Sequence, residues 1–172
     1  MGIKTDSGNY VEHYGSKERA ATAGCYTIGI DPGPLHSGVV LWDGSRVIEA
    51  HPKMPNDLVR INLKLVWAAH RVVCEWIACY GMAVGKEVFD TCRVCGQLGQ
   101  ICEDSGRDIH FIIRPTVKTR LCGTPRAKDP NVRQALIDRL GPVGTKKQPG
   151  PLFGVTSHAW SALAVVIAID IL

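Results

Sequence analysis

Two carboxylates in this chain end apolar, β-prone runs. Asp31 closes Thr27-Ile28-Gly29-Ile30, and Glu75 closes Val72-Val73-Cys74. A buried acid is costly unless it is paired or bound to a cation. If the two runs are neighbouring strands, both carboxylates project from one sheet edge. Two like charges a few ångströms apart then need a cation between them. Hard oxygen ligands in that arrangement suit Mg²⁺ or Mn²⁺. A third ligand candidate is His158, at the start of Ser157-His158-Ala159-Trp160-Ser161, with Ser161 three residues on and on the same helical face. Each residue also has a purely structural reading. Asp31-Pro32-Gly33 can be an ordinary turn, with Asp capping and Pro fixing φ, and His158 can cap its helix or fill a core.

The elements that must position these groups are legible from patterning. Residues 26–31, 37–42 and 45–50 read as three consecutive strands joined by Gly-containing turns, an antiparallel meander. Residues 56–69 carry Leu58, Ile61, Leu65 and Val66 at helical spacing after an Asn cap. Residues 71–75 form a short strand, 81–85 a flexible loop, and 87–102 a helix weakened by Gly96 and Gly99. A strand over 109–113 stops at Pro115. A helix over 130–140 has Pro in its first turn and Gly141 at its end. Residues 144–154 are a loop rich in Gly, Pro and Lys, and 157–169 a final apolar helix. With 117–122 as a short extra helix, the order βββ-α-β-α-β-α-α describes an α/β protein, a mixed sheet with helices on its faces.

The 172 residues suffice for one domain with a real core, and 45% of them are hydrophobic. Residues 1–24 are polar and aperiodic, a flexible arm ahead of a domain over 25–172. No apolar stretch follows Lys4, so the arm does not read as a signal peptide. The apolar run 162–172 is too short to span a bilayer and contains Asp170. These features point to an intracellular protein without a membrane partner. Seven cysteines with no secretion signal argue for reduced thiols. Cys92 and Cys95 have CxxC spacing, but Cys102, His110 and Cys122 offer no second pair, so packed thiols are favoured over zinc. Between Arg114 and Lys147 stand nine basic residues opposed only by Asp129 and Asp138. That one-sided charge is expected of a phosphate-binding face.

Taken in order, Ile28-Gly29-Ile30-Asp31-Pro32-Gly33, Val72-Val73-Cys74-Glu75, Arg114-Pro115-Thr116-Val117-Lys118 and His158-Ala159-Trp160-Ser161-Ala162-Leu163-Ala164 resemble the RuvC-type Holliday junction resolvases, above all their bacteriophage relatives. The likeness runs from about residue 26 to the C-terminus. It implies an RNase H-like fold with a mixed five-stranded sheet and helices on both faces, a homodimer, and Mg²⁺-dependent cleavage of branched DNA such as a four-way junction. The location implied is the cytoplasm, that of the host if the chain is phage-encoded. No nucleotide cofactor is expected. Asp31 and Glu75 match the first two catalytic acids, and His158 a third ligand. The fourth family ligand is commonly Asp, and here the position is Ser161. Glu87 and Asp90 are acids on a nearby segment that could compensate.

Two Mg²⁺ ions per site, or Mn²⁺ in their place, are implied, stabilising the attacking and leaving oxygens of an in-line displacement. Lys118 matches a family lysine that helps catalysis or backbone binding. Arg126 and Lys128 match a second basic stretch, and Arg120, Lys146 and Lys147 extend the expected DNA surface. In the loop from Trp76 to Lys86, Tyr80 and Met82 are candidates for an apolar wedge that enters an opened junction, although Trp76 and Tyr80 read better as packed beneath the sheet edge. The helix from Glu87 corresponds to the family's dimer region. A competing reading is a junction-binding protein with weak or lost catalysis, suggested by Ser161. An actin-like or sugar-kinase fragment would need a longer chain and a second Gly-rich Asp motif.

Overall fold

Alternation along the strands decides which helices cover which face. The computed structural model describes residues 26–171 except 68, 70, 80 and 82. The arm expected over 1–24 lies outside the described residues. Five strands, β1 (Thr27–Asp31), β2 (His36–Trp42), β3 (Val47–Pro55), β4 (Arg71–Trp76) and β5 (Asp108–Ile113), form one sheet in the order β3-β2-β1-β4-β5. β1, β2 and β3 pair antiparallel, while β1–β4 and β4–β5 pair parallel. The helices are α1 (Asn56–Leu65), α2 (Lys86–Asp104), α3 (Arg114–Cys122), α4 (Asp129–Leu140) and α5 (Ala159–Asp170).

Successive strand residues point to opposite faces. Ile28, Ile30, Val39, Leu41, Val72 and Cys74 pack with Val59 and Leu63 of α1 and Val94, Cys95, Leu98 and Cys102 of α2. Val40, Trp42 and Val73 face the other way, onto Val117 of α3, Val132 and Leu136 of α4, and the buried run 162–168 of α5. α5 is buried nearly all round because the sheet covers one side and α3 and α4 the other. The mixed sheet with helices on both faces is the expected architecture.

Most boundaries fall within about two residues of the sequence reading, and the larger departures have physical reasons. β3 runs on to Pro55 instead of stopping near residue 50. It is an edge strand, where the missing N–H of Pro52 and Pro55 is tolerated. α1 ends at Leu65 rather than 69, because Trp67 and Ala69 turn into the core beneath the sheet. α3 begins at Arg114 rather than 117. Pro115 therefore both ends β5 and opens α3, since the first helical turn needs no N–H from it. Asn56 is not a cap either. Pro55 holds the N-cap position, and the buried Asn56 amide accepts from Ser37 Oγ at 2.7 Å and donates to the Gly33 carbonyl at 2.9 Å. That side chain ties the 32–35 loop, just past Asp31, to the rest of the fold.

Candidate active site

β1 and β4 are parallel neighbours, with Ile30 opposite Cys74. Asp31 and Glu75 are the next residue on each strand. They therefore leave the same sheet edge side by side, and by period-two alternation both turn to the face that α5 covers. Glycine lets α5 come close. A Cβ on Gly29 would collide with the Ala162 carbonyl and reach 2.6 Å from Val166 Cγ2. A Cβ on Gly38, the cross-strand partner of Asp31, would lie 2.5 Å from the His158 carbonyl oxygen. No side chain but hydrogen fits at either position.

This seating puts His158 Nδ1 3.1 Å from Asp31 Oδ2. His158 occupies the N-cap position of α5, yet its side chain makes no capping bond. The ring is 66% exposed and aimed at the acid instead. The preceding residue, Ser157, has φ +44°. Among the described residues it is the one non-glycine in left-handed backbone, a conformation that costs free energy and recurs at functional sites. The capping and core readings of His158 are thus both replaced by a contact with Asp31.

Glu75 has a different partner. Arg114, the first residue of α3, donates through one guanidinium nitrogen to Glu75 Oε2 at 3.0 Å and through the other to Asp129 Oδ1 at 2.9 Å. Lys118 Nζ lies 3.6 Å from the same Asp129 oxygen. Burial pushes the Glu75 carboxyl up to about 7, and the nearby Asp31 adds to the rise; Arg114 opposes both without cancelling them. Burial likewise raises Asp31, against hydrogen bonds from His158 and Ser161 and the charge of Arg114. Asp129, at the surface, is held low chiefly by its bond to Arg114.

A cleft of about 350 Å³ opens beside these groups, lined by Ser157, His158, Trp160 and Ser161 on the α5 side and by Arg114, Asp129 and Arg133 on the other. Arg133 lies over the Trp160 ring, 4.9 Å from its centroid, a cation–π contact that orients the guanidinium. Across Asp31 and His158 a second cleft of about 560 Å³ is lined by the 32–38 segment, Pro52 and Lys53. Arg133 and Lys53 were not singled out as site residues by sequence reasoning. Arg133 had a usable signal: it lies four residues after Asp129, on the same face of α4.

The expected basic surface divides. Lys118 reaches the site through Asp129, and the exposed Arg126 and Lys128 lie at the start of α4 beside it. Arg120 is turned away, donating to the Ala168 carbonyl at 3.0 Å near the far end of α5. Lys146 and Lys147 sit in a turn closed by Thr145 N–H to the Gln148 carbonyl at 2.9 Å. The chain after that turn bonds to the start of β3, where Val47 N–H donates to Pro151 at 2.8 Å. That is the end of the sheet opposite Asp31. Asp90 is engaged by Lys86 at 2.7 Å on its own helix, and Glu87 is exposed in the first turn of α2, so neither takes the position left by Ser161. Trp76 is on the α2 side, edge-to-face on Phe111 at 4.9 Å and partly exposed. Tyr80 and Met82 lie outside the described residues. Cys95 and Cys102 are packed core thiols beneath the sheet.

No family model matches the sequence, and no curated protein does. Solved structures match the fold. The structure of Thermus thermophilus RuvC superposes with a TM-score of 0.63 at 19% identity, over 85% of this chain and 93% of that one. T. thermophilus RuvC in complex with a Holliday junction substrate gives 0.64 at 19% identity, over 86% and 93%. The fold is that of RuvC. The five-stranded mixed sheet and its covering helices are the RuvC arrangement, with Asp31 and Glu75 at the ends of two neighbouring strands and His158 beside Asp31.

The donors suit a hard divalent cation. Asp31 and Glu75 are part-buried carboxylates, each lifted by desolvation, and an imidazole stands beside Asp31. As the side chains stand, no three His, Cys, Asp or Glu groups converge as a cage among the described residues. Asp31 is engaged by His158 and Glu75 by Arg114. Asp31, Glu75 and His158 are the residues that would hold the ion.

Proposed function

We propose that this chain is a metal-dependent endonuclease that resolves Holliday junctions and related branched DNA, a RuvC-type resolvase. The observation that carries the reading is the placement of Asp31 and Glu75 at the ends of neighbouring strands of a RuvC fold, with His158 against Asp31. Bound Mg²⁺, or Mn²⁺, would supply Lewis acidity and an activated water at the scissile phosphate. The chain's own residues do the rest. Asp31 and Glu75 set the negative pocket, and His158 is oriented by Asp31. Arg114 and Arg133 line the cleft through which a phosphate reaches them. Lys118, Arg126 and Lys128 hold the flanking backbone. A four-way junction presents two equivalent strands, so a homodimer with two sites cuts them symmetrically. Resemblance to the bacteriophage members suggests action in the host cytoplasm.

A labelled four-way junction incubated with protein and Mg²⁺ tests the reading. Paired nicks that vanish with EDTA and in Asp31→Asn support it; intact junction at saturating protein refutes it. Ser161, in place of an acid, favours a second reading, a junction-binding protein without cleavage. That reading predicts a stable complex and no nicks with either Mg²⁺ or Mn²⁺.

A further inference from the structure

The resemblance implies two metal ions, but the donors present are one short. Position 161 on α5, one turn from His158 and lining the same cleft, is a serine. Facing it across the cleft is the Arg114 guanidinium. It is held by two carboxylates at once, Glu75 at 3.0 Å and Asp129 at 2.9 Å. Its side chain is only 21% exposed. It is therefore a fixed positive charge, already in contact with one of the two site acids. A guanidinium keeps its proton at any working pH and presents several N–H donors in a planar fork suited to phosphate oxygens.

We propose that Arg114 takes the part of the second metal ion, so that each chain works with one divalent cation and one arginine. This rests on the nuclease reading above. Water oxygen bonds to phosphorus as the bond to the leaving ester oxygen breaks. One water proton passes to solvent and the leaving oxygen takes one up, so the net change is addition of one water. Arg114 exchanges no proton. It holds a non-bridging phosphate oxygen and opposes the charge that builds there, a task worth several powers of ten where an arginine performs it in phosphoryl transfer. Asp129 keeps one side of the fork when the phosphate displaces Glu75 from the other, and the freed Glu75 carboxylate turns to the cation.

The full-length protein is titrated with Mn²⁺ alone, counting bound ions by electron paramagnetic resonance, and assayed in parallel on a four-way junction. The wild type should bind one Mn²⁺ per chain. Arg114→Gln should bind Mn²⁺ more tightly, by at least about threefold, because a competing cation has left Glu75. Its cleavage should fall by about 10²–10³-fold, with junction affinity in EDTA changed by only a few-fold. Arg114→Lys, which keeps the charge but loses the fork, should fall between. Tighter metal with slower cleavage is a pairing that a merely structural arginine would not produce. Two ions per wild-type chain overturn the proposal, as does Arg114→Gln cleaving within about threefold of wild type. Should Arg114→Gln fail to melt cooperatively, the ion count of the unaltered protein decides alone. An inactive wild type defeats the nuclease reading and this inference with it, whereas an active wild type with an active Arg114→Gln defeats only the inference.

Discussion

Asp31 and Glu75 are acids that the fold itself disfavours, and that makes them measurable one at a time. Each is placed where burial penalises its charge. The folded Glu75 holds its proton up to about pH 7, against 4.5 for the free group. Between those values the folded state binds more protons than the unfolded one, so stability falls as pH climbs from 4.5 to 7. Metal-free protein should therefore melt higher at pH 5 than at pH 8. Mg²⁺ should recover the loss at pH 8, because a cation replaces the proton. The full Glu75 shift corresponds to about 3 kcal/mol. Glu75→Gln should abolish cleavage while raising the melting temperature of the metal-free protein at pH 8. A lower melting temperature there would show that Arg114 outweighs burial. His158→Ala should also abolish cleavage, with little change in melting, since the ring is exposed and caps nothing. A stability loss of about 1 kcal/mol with activity kept would restore the capping role.

Two glycines fix the position of α5. Gly29 and Gly38 leave room for the Ala162 and His158 backbone, respectively. Gly38→Ala should move the start of α5 off the sheet and lose cleavage along with about 1–3 kcal/mol of stability, as overpacking does; chemical denaturation beside a nicking assay reads both. Gly29→Ala, deeper under the helix, should cost at least as much. The sequence made both acids and the sheet legible because strand ends and alternation are local patterns. His158 was legible as a candidate through its place at the head of an apolar run. The Glu75–Arg114–Asp129 chain of ion pairs was not, because it joins β4, α3 and α4 across 39 and 15 residues. A basic residue in a basic stretch carries no mark of which acid it will meet. The same blindness grouped Arg120, Lys146 and Lys147 with Lys118, although three-dimensional placement sends them to the far end of the domain. Asn56 looked like a cap because an asparagine heads the helix; only tertiary contact shows its amide spent on Ser37 and Gly33.

Across the whole molecule, charge is concentrated where α3, α4 and the head of α5 meet. If Arg133 and Lys128 contact phosphates, replacing either should weaken binding of every branched substrate alike. Each should lower the slope of log K against log[salt] by about one, since each contact releases a counterion. Lys146→Ala and Lys147→Ala should leave that slope unchanged; a drop equal to that of Arg133→Ala would move the DNA surface to the opposite end of the sheet. The site also spans nearly the whole described chain, with 127 residues separating Asp31 from His158. α5, which completes it, follows every other element in order and packs against β1, the first described strand. Such long-range closure is slow to form. It also orders events during synthesis. A ribosome that stalls after α4 leaves a product with both acids but with no histidine beside them and no helix over the sheet. If the chain cuts DNA as proposed, a product that ends with α4 lacks His158 and should leave a labelled four-way junction intact.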